Sequence, residues 1–132
     1  MQIGYVPDPE NWDRWPEAEA MLRFAQNRDP DRKAILRPHF TVWAVMDGDD
    51  LLAAATARMT VENTCEVVLV AGKDHRRWLK ELDEKIGAAA AEAGATRMSA
   101  IGRAGWAKSL KALGWASEGD GRVRSYWRAL ER

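Results

Sequence analysis

Between an apolar run and a helical one stands "VAGKDHRRWL" (70–79), where Gly72 is followed at once by Lys73, His75, Arg76 and Arg77. Glycine lets the main chain come close to a ligand, and unpaired N–H groups at a helix start attract anions. Guanidinium and ammonium groups beside such a start are phosphate ligands. The plain alternative is a solvated basic turn, because cations at a helix N-terminus oppose its dipole. Proton transfer has a short set of candidates. Glu66 sits on an otherwise apolar run, where a carboxylate is costly to bury unless it is paired or functional. It also lies near the start of that run, where it can simply face water. His75 stands in the basic turn and His39 in a proline-bounded connection. Tyr126 offers a phenol, and next to Trp127 its bland role is a packed amphipathic side chain.

Other chemistries find no support. The single cysteine, Cys65, excludes an intrachain disulfide and a zinc site built on several thiolates, and it reads as an inert small hydrophobe. There is no paired-histidine metal spacing, no Gly-x-Ser-x-Gly elbow and no Walker loop, so no metal site is expected. Twenty basic residues balance twenty acidic ones, which gives no global attraction to nucleic acid or to an anionic membrane. The best basic patch, "RVRSYWR" (122–128), would be split across two faces by strand alternation. No apolar run reaches the length of a membrane span, and "MQIGYVPDPENWDRW" lacks the order of a secretion signal. The expected address is the cytoplasm, or a particle assembled there.

The elements that must position these residues can be read in order. The 132 residues suit one domain spanning 1–132. "QIGYV" (2–6) is a strand, and "WPEAEAMLRFAQN" a helix with Pro16 in its first turn. "RDPDRKAILRPHF" is a connection with one helical turn at Lys33–Leu36. "FTVWAVM", "LLAAATARMTV" and "TCEVVLVA" are strands, the first two joined by the hairpin signal "DGDD". "VVLV" is apolar on both faces and implies cover on both sides. A helix over about 74–93 carries Leu79, Leu82, Ile86 and Ala90 on one stripe and ends at Gly94. "TRMSAI" is a strand, residues 103–113 a helix closed by Gly114, and the remainder a glycine-turned hairpin. Seven tryptophans against two tyrosines and two phenylalanines is an unusual balance, and most of the indoles are expected in the core.

Strand, helix, three strands, helix, strand, helix, two strands: this order resembles the GNAT (GCN5-related N-acetyltransferase) fold over nearly the whole chain. The class is then α/β (α+β), a mostly antiparallel mixed sheet of six to seven strands with helices on both faces. "WAVMDGDDLLAAATA" resembles the family's second and third strands, and "EVVLVAGKDHRRW" its central strand entering the pyrophosphate loop. "RAGWAKSLKALGW" is similar to the family's Asn-x-x-Ala…Leu-Tyr-x-x-x-Gly-Phe segment. A narrower likeness, to short GNAT-like proteins of phages and prophages, rests on Gly72 to Trp78 and on Arg103, Gly105, Trp106 and Leu110.

The resemblance implies acetyl-CoA as cofactor, held by Val70, Ala71, Gly72, Lys73, His75, Arg76, Arg77, Arg103 and Trp106, with Glu66 and Tyr126 as catalytic residues. The sequence departs from the pattern in three places. The loop has one glycine placed before its cations, Arg103 and Trp106 replace the usual Asn and Ala, and Leu110 occupies the position of the proton-donating tyrosine. A leucine transfers no proton. Two readings follow, an acyltransferase acting on an amine with acyl-CoA, and an inactive GNAT-fold structural or interaction protein whose partners are phage structural proteins or its own copies. A third is a CoA-binding regulator without turnover. Neither nucleic acid nor membrane is an expected partner.

Overall fold

The computed structural model describes residues 1–28 and 36–131. The helical turn expected at Lys33–Leu36 falls for the most part outside the described residues. In chain order the elements are β1 (Gln2–Val6), α1 (Trp15–Asn27), β2 (Thr41–Asp47), β3 (Asp50–Met59), β4 (Thr64–Gly72), α2 (His75–Glu92), β5 (Arg97–Arg103), α3 (Ala107–Ala112), β6 (Ala116–Glu118) and β7 (Val123–Ala129). This is the order expected from hydrophobic periodicity. The strands form one sheet, β1-β2-β3-β4-β5-β7-β6, in which only β4 and β5 run parallel.

Both faces are covered, and β3 shows why its sequence is so rich in alanine. Ala53, Ala55 and Ala57 pack on the α2 side, Ala54 on the α1 side. Small side chains let a helix approach from each direction. α1 inserts Ala18 and Leu22 against Ala44, Leu51 and Leu69. α2 lays Trp78, Leu82 and Ile86 against Val45, Met98 and Tyr126. Each of these large side chains is at most 4% exposed, and its burial contributes roughly 1.5–3 kcal/mol. Gly94, at φ 102°, ends α2, and the Ala95 N–H returns to the Ala90 carbonyl at 2.9 Å.

Two expectations change. The helix read over 103–113 is shorter, because β5 continues to Arg103 along its ladder with β7, pairing Arg103 with Val123. A 3-10 turn over Ala104–Trp106 then leads into α3. Of the seven indoles only Trp43, Trp78 and Trp115 are buried, while Trp12, Trp15, Trp106 and Trp127 are half-buried. No helix among the described residues is long and apolar enough to cross a membrane.

Candidate functional site

The site is built by the two parallel strands parting. Their ladder begins at Thr64–Arg97 and ends at Val67–Ala100. Beyond that point β4 stays with β3 as far as Gly72, and β5 stays with β7 as far as Arg103. A bulge at Val68 marks the divergence: Thr56 pairs with Leu69 but Ala57 with Val67, leaving Val68 as the extra residue. The bulge also switches side-chain parity. Val67 and Val70 face the α2 cluster, while Val68 and Leu69 both join the α1 cluster. Among the described residues, main-chain N–H and C=O groups on the parted edge of β4 have no strand partner.

The gap is a cavity of about 350 Å³, within the size of small-molecule sites. β4 walls it with Val67 to Gly72, β5 with Met98 and Ala100 to Arg103, and α2 with His75, Trp78, Leu79 and Leu82. On the α1 side of the sheet Phe24, Ala25 and Arg28 complete it. It thus reaches toward both faces of the sheet.

At one end of the gap lies the start of α2. Its N-cap residue, Asp74, is left-handed at φ 58° and makes no side-chain cap, and no acidic residue occupies the first turn. The Arg77 N–H bonds the Asp74 carbonyl (2.9 Å), which leaves earlier N–H groups of the turn without a helical acceptor. Gly72 is required here. Its φ is 151°, and a Cβ would overlap the Leu52 carbonyl and Ala53. The loop is clamped from two sides, by the Lys73 N–H on the Leu52 carbonyl (3.0 Å) and by the Trp78 indole N–H on the Lys73 carbonyl (2.7 Å).

Deeper in the cavity, Asp83 accepts from the Trp115 indole at 3.1 Å and from Arg128 Nε at 3.2 Å. Burial pushes its carboxyl above the ordinary carboxylate range, while Arg128 and the Trp115 N–H pull it back. The Tyr126 hydroxyl, on a residue 2% exposed, donates to the Arg103 carbonyl. Burial raises the phenol's pKa against the opposing charge of Arg124. His75 Nε2 lies 3.3 Å from Ser109 Oγ, and its ring meets the edge of Trp106 at 5.4 Å between centroids.

No protein-family model matches the chain, and no curated protein matches it. Solved structures do. The aminoglycoside 6'-N-acetyltransferase from Enterococcus faecium superposes with a TM-score of 0.71 at 13% identity, over 100% of this chain and 98% of that one. A Bacillus subtilis acetyltransferase in complex with CoA gives 0.69 at 15%, over 98% and 99%. The N-acetylglutamate synthase from Neisseria gonorrhoeae, complexed with coenzyme A and N-acetyl-glutamate, gives 0.70 at 14%. There this chain is covered in full but spans only 36% of the larger protein. The chain has the GNAT fold. At these identities the likeness concerns the fold alone.

Within that GNAT fold the residues singled out from sequence divide into two groups. Val70, Ala71, Gly72, His75, Arg103, Trp106 and Tyr126 all border the one cleft. Lys73 and Arg76 are exposed on the loop beside it. Arg77 reaches back to Asp47 on β2 at 2.8 Å, an ion pair that lowers the aspartate's pKa. Glu66 does not border the cleft and pairs with Arg58 at 3.1 Å. Leu110 packs along the cavity wall. Cys65 is buried, its thiol pushed up to about 11 by desolvation. No group of three or more metal-ligating side chains occurs among the described residues.

Phe24, Arg28 and Asp83 were missed from sequence. Asp83 carried a readable signal, standing at i+4 from Leu79 on the apolar stripe of α2, where an acid needs a buried partner. Phe24 and Arg28 carried none, since only tertiary packing brings the end of α1 to the gap.

Proposed function

We propose that this protein is an acetyl-CoA-dependent N-acyltransferase with an amine acceptor. The observation that carries the reading is the parting of β4 and β5 beside an uncapped helix start. The residues present fit the coenzyme. Gly72 keeps the loop free of side-chain bulk, the first N–H groups of α2 and the nearby Lys73 and Arg76 suit a diphosphate, and the open β4 edge suits an amide-bearing arm. Acetyl-CoA, when bound, supplies a thioester whose acetyl group passes to an amine nitrogen as the C–S bond breaks.

The thiolate released needs a proton, and the amine must lose one. Tyr126 holds its proton at Oη in the cleft, kept there by burial, and is the donor in this reading. His75 begins α2 at the diphosphate end of the cleft, so the amine's proton passes to water at the mouth of the cleft. Glu66, turned to Arg58, has no part in these transfers. A free-thiol release assay with acetyl-CoA over a panel of amines tests the proposal. Turnover is expected, and its absence with every amine refutes catalysis. The only protein thiol, Cys65, is buried and adds little background.

A second reading rests on Leu110, which cannot replace the tyrosine of active relatives. In it the protein keeps the fold but acts through a protein partner, in a phage particle or its assembly. Detection of the chain in purified virions, with no turnover, would favour this reading.

A further inference from the structure

The cleft meets the two faces of the sheet with different chemistry. On the α2 face lie the helix start and the basic loop that the proposed function assigns to coenzyme. On the α1 face the rim is formed by Phe24, Arg28, Ile101 and Arg103. Arg103 sends one guanidinium N–H to the Arg28 main-chain carbonyl at 2.9 Å, which fixes its head beside the end of α1. The Arg28 guanidinium lies 5.4 Å from the centroid of the Phe24 ring. Among the described residues neither arginine pairs with a carboxylate, and both are exposed. Among the described residues the one carboxylate bordering the cleft, Asp83, is engaged by Trp115 and Arg128. Between the arginines the rim is apolar and open, with Phe24 62% and Ile101 57% exposed.

We infer that the α1 face is the acceptor site and that it selects amines carrying an anionic group on an apolar body, such as hydrophobic amino acids, over polycationic amines. This rests on the acyltransferase reading and names the substrate class of the same site. Two guanidinium forks match a carboxylate or phosphate, whereas a polyamine would meet like charge, with no free carboxylate among the described residues of the rim to offset it. Phe24 and Ile101 would cover the apolar body.

The deciding pair is L-phenylalanine against L-phenylalaninamide, which differ only in the anionic group. Spermidine serves as the opposite charge, and 2-aminoethyl phosphate against ethanolamine reads whether phosphate substitutes for carboxylate. Binding to the free and the acetyl-CoA-loaded protein is followed by calorimetry, and acetyl transfer by thiol release. Phenylalanine is expected to exceed its amide about 10- to 100-fold, with spermidine weakest. Arg28→Gln should erase that preference while leaving the acetyl-CoA affinity and the melting temperature close to wild type, which shows that the variant folds, and Arg103→Gln should erase the preference as well. Acetyl-CoA binding with equal responses to the pair, a preference for spermidine, or no response to any acceptor overturns the inference. Failure to bind acetyl-CoA instead overturns the acyltransferase reading, and the phenylalanine–amide difference on the free protein then decides the inference alone.

Discussion

At the scale of single residues, the chemistry turns on which cleft groups can hold a proton. Leu110 cannot, and Glu66 is committed to Arg58 outside the cleft. Tyr126 can, and burial keeps its phenol protonated. Tyr126→Phe is therefore expected to lower the acetyl-transfer rate by about 10²-fold or more with little change in acetyl-CoA affinity. It should also cost about 1–3 kcal/mol of stability, because the Arg103 carbonyl loses its donor. Initial rates, calorimetry and a denaturant melt on one preparation separate the two effects. A variant that is less stable but equally fast would make Tyr126 structural. Tyr126 could be picked from sequence for its phenol alone. Its partner could not, since the Arg103 carbonyl is 23 residues away and meets it only through β5–β7 pairing.

At the scale of elements, the site depends on where β4 bends and how α2 begins. The strand-helix order was legible because each segment has a clear period, with alternation in β2 and a stripe in α2. The bulge at Val68 was not legible, since in an unbroken apolar run no polar residue marks which side chain is the extra one. The early end of the helix at α3 was hidden for a related reason: Arg103 is held in β5 by Val123, a partner 20 residues further on. Gly72, by contrast, was readable as a loop glycine, and the structure adds the cause in the Leu52 carbonyl against its missing Cβ. Gly72→Ala is expected to destabilise the fold by about 1–3 kcal/mol and to weaken acetyl-CoA binding. A thermal melt and a calorimetric titration of the variant check both. Wild-type affinity in a destabilised Gly72→Ala protein would separate the loop from coenzyme binding.

At the scale of the whole molecule, one half-buried charge group ties the elements around the cavity together. Asp83 of α2 joins Trp115, which leads into β6, and Arg128 of β7. Desolvation raises the Asp83 pKa in the folded state above its unfolded value. The native state then binds this proton more tightly than the unfolded one. The contribution to stability is fully present below the ordinary carboxylate pKa of about 4 and is lost as pH rises through the folded value. The stability difference between wild type and Asp83→Asn should therefore decline in urea melts as pH rises above the ordinary carboxylate value of about 4, and a flat or rising difference would contradict the assignment. Acetyl transfer by this molecule depends on the parted strands forming a coenzyme cleft. The most direct test of that cleft is isothermal titration of the purified full chain with acetyl-CoA. Saturable binding at one site per chain, tighter than about 1 mM, is predicted. No binding heat at millimolar coenzyme, from protein shown to be folded by its melt, would contradict it.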